Sequence, residues 1–108
     1  MTFNEYQELA LETAVYPDES AIAYTTLGLC SEAGEVADKL KKIIRDGASN
    51  YDEDFYTSVA KELGDVLWYV AALAHEMGFT MSEVAEMNYN KLKDRHQRNK
   101  IGGSGDER

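Results

Sequence analysis

An all-α fold, a four-helix bundle-like domain that oligomerises through its helices, is the class this 108-residue chain predicts. Three observations carry it. Apolar residues recur at helical intervals, and no convincing strand emerges between them. Two capping boxes, Thr2-Phe-Asn-Glu5 and Thr80-Met-Ser-Glu83, announce helix starts. The only proline and two well-placed glycines (Pro17, Gly47 and Gly78) punctuate the pattern where helices must stop.

Each element follows in order. Thr2 caps helix 1, which runs to about Val15 before Tyr16-Pro17-Asp18 breaks it. Helix 2 runs from about Glu19 to Arg45, with an apolar stripe of Ile22, Leu29, Ala33, Val36, Leu40 and Ile44, and Asp46-Gly47 ends it. Residues 47–51 read as a loop, and Asp52 or its neighbours cap helix 3, which lasts until Met77. Its stripe comprises Phe55, Val59, Leu63, Val66, Val70, Leu73 and Met77. Helix 4 starts at the second capping box and reaches about Arg98. The folded domain is therefore residues 1–100, and 101–108, rich in glycine, form a flexible tail without fold information.

Composition narrows the function classes. With 44% hydrophobic residues the chain can form one core with little stability to spare. A net charge of −9 argues against nucleic-acid binding, which needs a cationic surface. No apolar run approaches the ~18 residues of a membrane span, and no basic-then-apolar leader is visible, so neither a membrane partner nor a signal peptide is expected. The single cysteine, Cys30, suits a reducing cytosol, and Leu29, Ala33 and Ala37 around it suggest a core thiol. A cytoplasmic protein is the expectation.

The chemistry lies in two acidic pairs of equal spacing, Glu32-Ala-Gly-Glu35 in helix 2 and Glu62-Leu-Gly-Asp65 in helix 3. Residues three apart share a helix face, so each pair aims two carboxylates at one spot. On wheels of ~100° per residue, Glu32, Glu35 and Lys39 flank one apolar stripe, with Gly28 a turn earlier. Glu62, Asp65 and Tyr69 take the corresponding flank of the other. Antiparallel packing on the stripes would join the two flanks into an all-oxygen site for a hard cation, Mg²⁺ or in its place Mn²⁺. The competing reading is a pair of solvated acidic faces, with Lys39, Lys41 and Lys42 partly neutralising the first pair. Like charges a turn apart cost roughly 0.2–0.5 kcal/mol per pair unless something offsets them.

These residues carry a resemblance. Ser31-Glu32-Ala-Gly-Glu35-Val-Ala-Asp38-Lys39, then Lys61-Glu62-Leu-Gly-Asp65-Val-Leu-Trp68-Tyr69, then Asn88-Tyr-Asn-Lys91-Leu-Lys-Asp-Arg95 resemble, in order, the elements of MazG-type all-α nucleoside triphosphate pyrophosphohydrolases. The likeness spans about residues 20–96. It implies that Glu32, Glu35, Glu62 and Asp65 are Mg²⁺ ligands, with Glu32 or Glu35 also catalytic as proton acceptor. It implies that Asn88, Lys91 and Arg95, with Lys39, hold substrate phosphates. The implied reaction cleaves a nucleoside triphosphate between its α and β phosphates to a monophosphate and pyrophosphate. One departure is Ser31, where many members carry a further Glu.

The remaining residues are read more simply. Lys91, Lys93, Arg95, Arg98 and Lys100 either reach phosphates or stabilise a helix C-terminus as cations do. Trp68, Tyr69, Tyr6, Phe3 and Tyr24 can stack on a base or fill the core. Gln7 can bond a base edge or sit exposed, and His75 and His96 fall in no ligand motif. Asp38 is expected in a solvent salt bridge. The run Val66-Leu-Trp-Tyr-Val-Ala-Ala-Leu-Ala74 is apolar nearly all round, which points to a homodimer or homotetramer burying helix 3. A di-iron bundle would need Glu-x-x-His pairs, which are absent. A phosphoribosyl-ATP pyrophosphohydrolase on the same fold, and a non-enzymatic helical interaction module, stay as alternatives.

Overall fold

The computed structural model describes residues 1–47 and 51–108, and every regular element among them is helical. The order is α1 (Phe3–Leu11), a 3-10 turn (Asp18–Ser20), α2 (Ala21–Arg45), α3 (Glu53–Glu76) and α4 (Met81–Gln97). The all-α expectation holds. Of the loop expected at 47–51, residues 48–50 lie outside the described residues.

Both capping boxes form. Thr2 Oγ1 accepts from the Glu5 N–H at 3.1 Å while the Glu5 carboxylate accepts from the Thr2 N–H at 3.2 Å. Thr80 and Glu83 repeat the exchange, each bond at 3.1 Å. Asp52 caps α3 by accepting from Phe55 N–H at 2.8 Å. At the far ends of α2 and α3, Gly47 and Gly78 take φ of +74° and +84°, the left-handed conformation that closes a helix.

Helix α1 stops at Leu11, short of the expected Val15, for a visible reason. Trp68 Nε1 on α3 donates to the Ala10 carbonyl at 3.0 Å and to Thr13 Oγ1 at 2.9 Å. Thr13 Oγ1 itself donates to the same carbonyl at 2.8 Å. The end of α1 tightens into i→i+3 backbone turns, with the Glu12, Thr13 and Ala14 N–H groups donating to the Leu9, Ala10 and Leu11 carbonyls. The Trp68 and Thr13 side chains share the Ala10 carbonyl. Helix α2 likewise begins at Ala21 instead of Glu19, because Pro17 leads into the short 3-10 turn first.

Helices α2 and α3 form a long neighbouring pair, and α1 and α4 pack near the C-terminal half of α3. The buried cluster there is small: Ala10, Ala71 and Met81, flanked by Tyr6, Trp68 and Val70. Ala71, Ala72 and Ala74 are the fully covered part of α3, small enough for α1 and α4 to approach closely. Gln7 ties these three helices together. Its Nε2 donates to the Ala71 and Phe79 carbonyls, both at 3.1 Å, and its Oε1 accepts from the Met81 N–H at 3.2 Å. Gln7 is therefore neither exposed nor available to a base, since donors and acceptor of its amide are engaged in the fold.

Cys30 is also placed differently from expectation. It is exposed on α2, outside any buried cluster among the described residues. The C-terminal segment returns to α4: Asp106 Oδ1 accepts from Lys91 Nζ at 3.0 Å, and the Asp106 carbonyl accepts from Arg95 Nη2 at 2.6 Å.

Replacing Gln7 with Ala takes away the side-chain partner of the Phe79 carbonyl and the Met81 N–H and the second donor to the helical Ala71 carbonyl. The expected loss is about 2–3 kcal/mol in urea unfolding, against well under 1 kcal/mol for Glu8→Ala on the exposed side of the same helix.

Candidate metal centre

The packing of α2 on α3 brings acids from both helices together. Glu32, Glu62 and Asp65 each offer a carboxylate oxygen, and these oxygens lie within 4.8 Å of one another. Glu32 and Glu62 are half-buried and Asp65 is exposed. Glu35 stands outside this set, exposed one turn along α2, yet its charge is felt at Glu32. Burial first, then the charges of Asp65, Glu62 and Glu35, push the Glu32 carboxyl above its usual range.

The basic residues are arranged differently from the sequence expectation. Lys41 and Lys42 make their direct ion pairs with Asp38 rather than with the first acidic pair, and Lys42 feels the charge of Glu35 only weakly. They hold Asp38 at 2.9 and 2.7 Å, and Lys42, followed by Lys41, lowers its carboxyl to about 2. Asp38 is thus in the surface salt bridge expected of it. Lys39 reaches across to α3 instead, with its Nζ 3.6 Å from Glu62 Oε1. That cross-helix contact was not read from the sequence, although Lys39 and Glu62 both lie on the predicted acidic flanks.

Beside the acids lies a cavity of about 390 Å³ lined by Thr13, Val15, Tyr16, Tyr24, Trp68 and Tyr69, with Glu32 and Asp65 on its wall. Tyr16 and Tyr24 stack with ring centres 5.4 Å apart, and Trp68 meets Tyr69 edge-on at 4.9 Å. Tyr16 donates to Glu76 Oε1 at 2.7 Å; burial and that bond raise its hydroxyl to about 12. Sequence reasoning named Tyr24, Trp68 and Tyr69 but missed Tyr16. Its only signal was its position just before Pro17, in the connector that folds over the site. Gly28 has a reason of its own: a Cβ there would overlap the Tyr69 ring, so the notch on α2 is what admits this tyrosine.

Asn88, Lys91 and Arg95 stand apart from the acids. Asn88 and Lys91 line another cavity of about 460 Å³ with Met77, Phe79, Val84 and Met87, and Asp106 closes it. Arg95 is 4% exposed and bonded to Asp106. His75 and His96 are exposed and belong to no ligand cluster among the described residues.

The family model described as the MazG nucleotide pyrophosphohydrolase domain matches residues 21–99. The chain belongs to the MazG family. The matched MazG span contains α2, α3 and α4, hence the acidic cluster. A similar protein is the Gene 37 protein of Mycobacterium phage L5, 43% identical over 109 aligned residues that cover 95% of this chain and 96% of that protein. No solved structure matches. No helix among the described residues is long and apolar enough to cross a membrane.

The donor set fits a divalent cation: three converging carboxylates faced by one lysine leave negative charge in excess. Because Glu32 holds its proton more tightly folded than unfolded, metal-free stability should fall as pH rises from the ordinary carboxylate range through the raised value. Asp65→Asn removes the strongest charge acting on Glu32. It should raise the metal-free melting temperature at pH 7 by about 1–4 °C, corresponding to roughly 0.2–0.5 kcal/mol. The gain should vanish below the ordinary carboxylate range, where the cluster is neutral. Thermal scans in EDTA across pH check both statements.

Proposed function

We propose that this MazG-family chain is a Mg²⁺-dependent nucleoside triphosphate pyrophosphohydrolase, working in the cytosol and releasing a monophosphate and pyrophosphate. The observation that supports this most is the sharing of Glu32 and Asp65 between the carboxylate cluster and the aromatic cavity. Phosphates at the acids and a base among the rings then belong to one bound molecule.

Glu32, Glu62 and Asp65 would hold the cation, with Glu35 at the rim as a fourth carboxylate. Mg²⁺, or Mn²⁺ in its place, supplies charge for the phosphate oxygens and a more acidic bound water. The protein's own contributions are distinct. Tyr16, Tyr24, Trp68 and Tyr69 offer faces and edges for a base and narrow the water's access. Glu32 or Glu35 takes the proton of the attacking water as its oxygen bonds to the α phosphorus. The bond from that phosphorus to the oxygen bridging to the β phosphate breaks, and its electrons leave with pyrophosphate. Lys39, held at Glu62, is the cation nearest the acids and the first choice for a phosphate oxygen.

Turnover of a panel of NTPs, dNTPs and phosphoribosyl-ATP, with the products separated, tests the reaction. Wild type should release monophosphate and pyrophosphate from at least one nucleoside triphosphate, and EDTA should abolish it. Glu35→Gln and Glu62→Gln should each lose about 100-fold or more while remaining folded. EDTA-resistant turnover by pure protein would sink the mechanism, and cleavage of phosphoribosyl-ATP alone would reassign the substrate.

Arg95 supports an anchoring reading, because it is 4% exposed and its Nη2 is bonded to Asp106. Arg95→Ala should accordingly lower the melting temperature more than it raises KM. A large KM effect with little loss of stability would restore the phosphate role implied by the family motif.

A further inference from the structure

Arg95 is a permanent cation with only 4% of its surface exposed, and a guanidinium so far from water requires an anion beside it. Asp106 supplies that anion from a different part of the chain. Arg95 Nη2 donates to the Asp106 carbonyl at 2.6 Å and to its Oδ1 at 3.3 Å. Lys91, one turn earlier on α4, donates from Nζ to the same Oδ1 at 3.0 Å. Asp94, the acid next to Arg95 in sequence, is engaged by Arg98 at 2.8 Å instead.

The segment that carries Asp106 is lightly fastened. The Asp106 side chain is 77% exposed, and Ile101, the only large apolar residue of 101–108, is exposed as well. Arg108 donates to the Ile101, Gly102 and Gly105 carbonyls, so the segment is curled on its own hydrogen bonds. Besides Asp106, the Arg108 carbonyl accepts from Arg98 Nη2 at 2.6 Å. What holds the curl on α4 is therefore mainly ionic, and exposed ion pairs contribute little in water and weaken with salt. The cation is buried and fixed; its anion is exposed and replaceable.

There is room for a different anion. Asp106 lies at the edge of the cavity of about 460 Å³ whose wall includes Lys91, Asn88, Phe79, Met77 and Met87. Lys91, followed by Arg95, holds the Asp106 carboxyl below its usual range, so near neutral pH any replacement exchanges anion for anion. A phosphoryl group suits the pair better than a carboxylate, since it brings more charge and more acceptor oxygens to a guanidinium and an ammonium. We propose that residues 101–108 form a latch, in which Asp106 fills an anion site of Arg95 and Lys91 until a phosphoryl anion displaces it and releases the segment. The family resemblance offers Lys91 and Arg95 to a phosphate; the structure adds an internal competitor for them. The latch involves α4 and the segment folded on it, and does not rest on turnover at the acids.

Nuclear magnetic relaxation of the 101–108 backbone amides, in EDTA at low ionic strength, reads the latch directly. Without a metal the carboxylate cluster repels anions, so inorganic pyrophosphate probes the basic site. Wild type should hold the segment rigid, and pyrophosphate should free it saturably where NaCl of equal ionic strength leaves most of it in place. Asp106→Asn should free the segment without ligand. In calorimetry it should bind pyrophosphate about fivefold or more tightly than wild type, because the closed latch no longer reduces the competent fraction. Glu107→Gln removes the same charge one residue along and should match wild type. A nucleoside monophosphate in the same titration identifies the source of the phosphoryl group: release at lower concentration than pyrophosphate assigns a nucleotide, and release by pyrophosphate alone assigns a free phosphate, both upholding the latch. A segment mobile in ligand-free wild type would overturn the proposal. So would a segment still rigid at saturating pyrophosphate and nucleotide, NaCl as effective as pyrophosphate, or equal pyrophosphate affinities for Asp106→Asn and Glu107→Gln.

Discussion

The close approach of α2 and α3 governs the molecule, because it forces Glu32, Glu62 and Asp65 within 4.8 Å of each other. Like charges so near oppose the packing that creates them, and one lysine at 3.6 Å answers them only in part. The helix pair must therefore be held by something stronger than the repulsion. On the acidic side, Tyr69 seated in the notch at Gly28 locks one helix against the other. On the far side lie exposed leucines, an isoleucine and a tyrosine, which contribute little burial to the pair in the single chain.

The rest of the fold works as a brace. Its buried cluster consists mainly of alanines and one methionine, too few methylene groups to fix helix positions by volume alone. Directional bonds supply what packing lacks. Gln7 joins α1 to α3 and to the start of α4, and Trp68 terminates α1 at Ala10 and Thr13. Trp68 does so while lining the cavity beside the acids, so the bond that ends α1 also sets one wall of the site.

How far the sequence could be read follows from which interactions are local. Capping boxes, the two glycine stops and the i,i+3 acids depend on neighbours in the chain, and they marked the elements and the carboxylates that α2 and α3 bring together. Contacts that cross the chain were not legible. Nothing near Gln7 announces partners more than sixty residues away, and Trp68's hold on Ala10 shortens a helix whose own sequence runs on to Val15. Lys39 looked like a neighbour of Glu35 and instead meets Glu62, because the antiparallel approach decides between two acids on one flank. Cys30 illustrates a different limit. An apolar stripe on a wheel does not say whether the same chain or another copy covers it, and here the chain leaves it exposed.

The central claim is that the three converging carboxylates are a divalent-cation site, and calorimetric titration with Mg²⁺ and Mn²⁺ tests it most directly. Wild type should show saturable binding that Glu62→Gln and Asp65→Asn each weaken by about 10-fold or more while both variants stay helical. No binding by folded wild type, or binding that neither substitution alters, would contradict it and return these acids to the status of a solvated face.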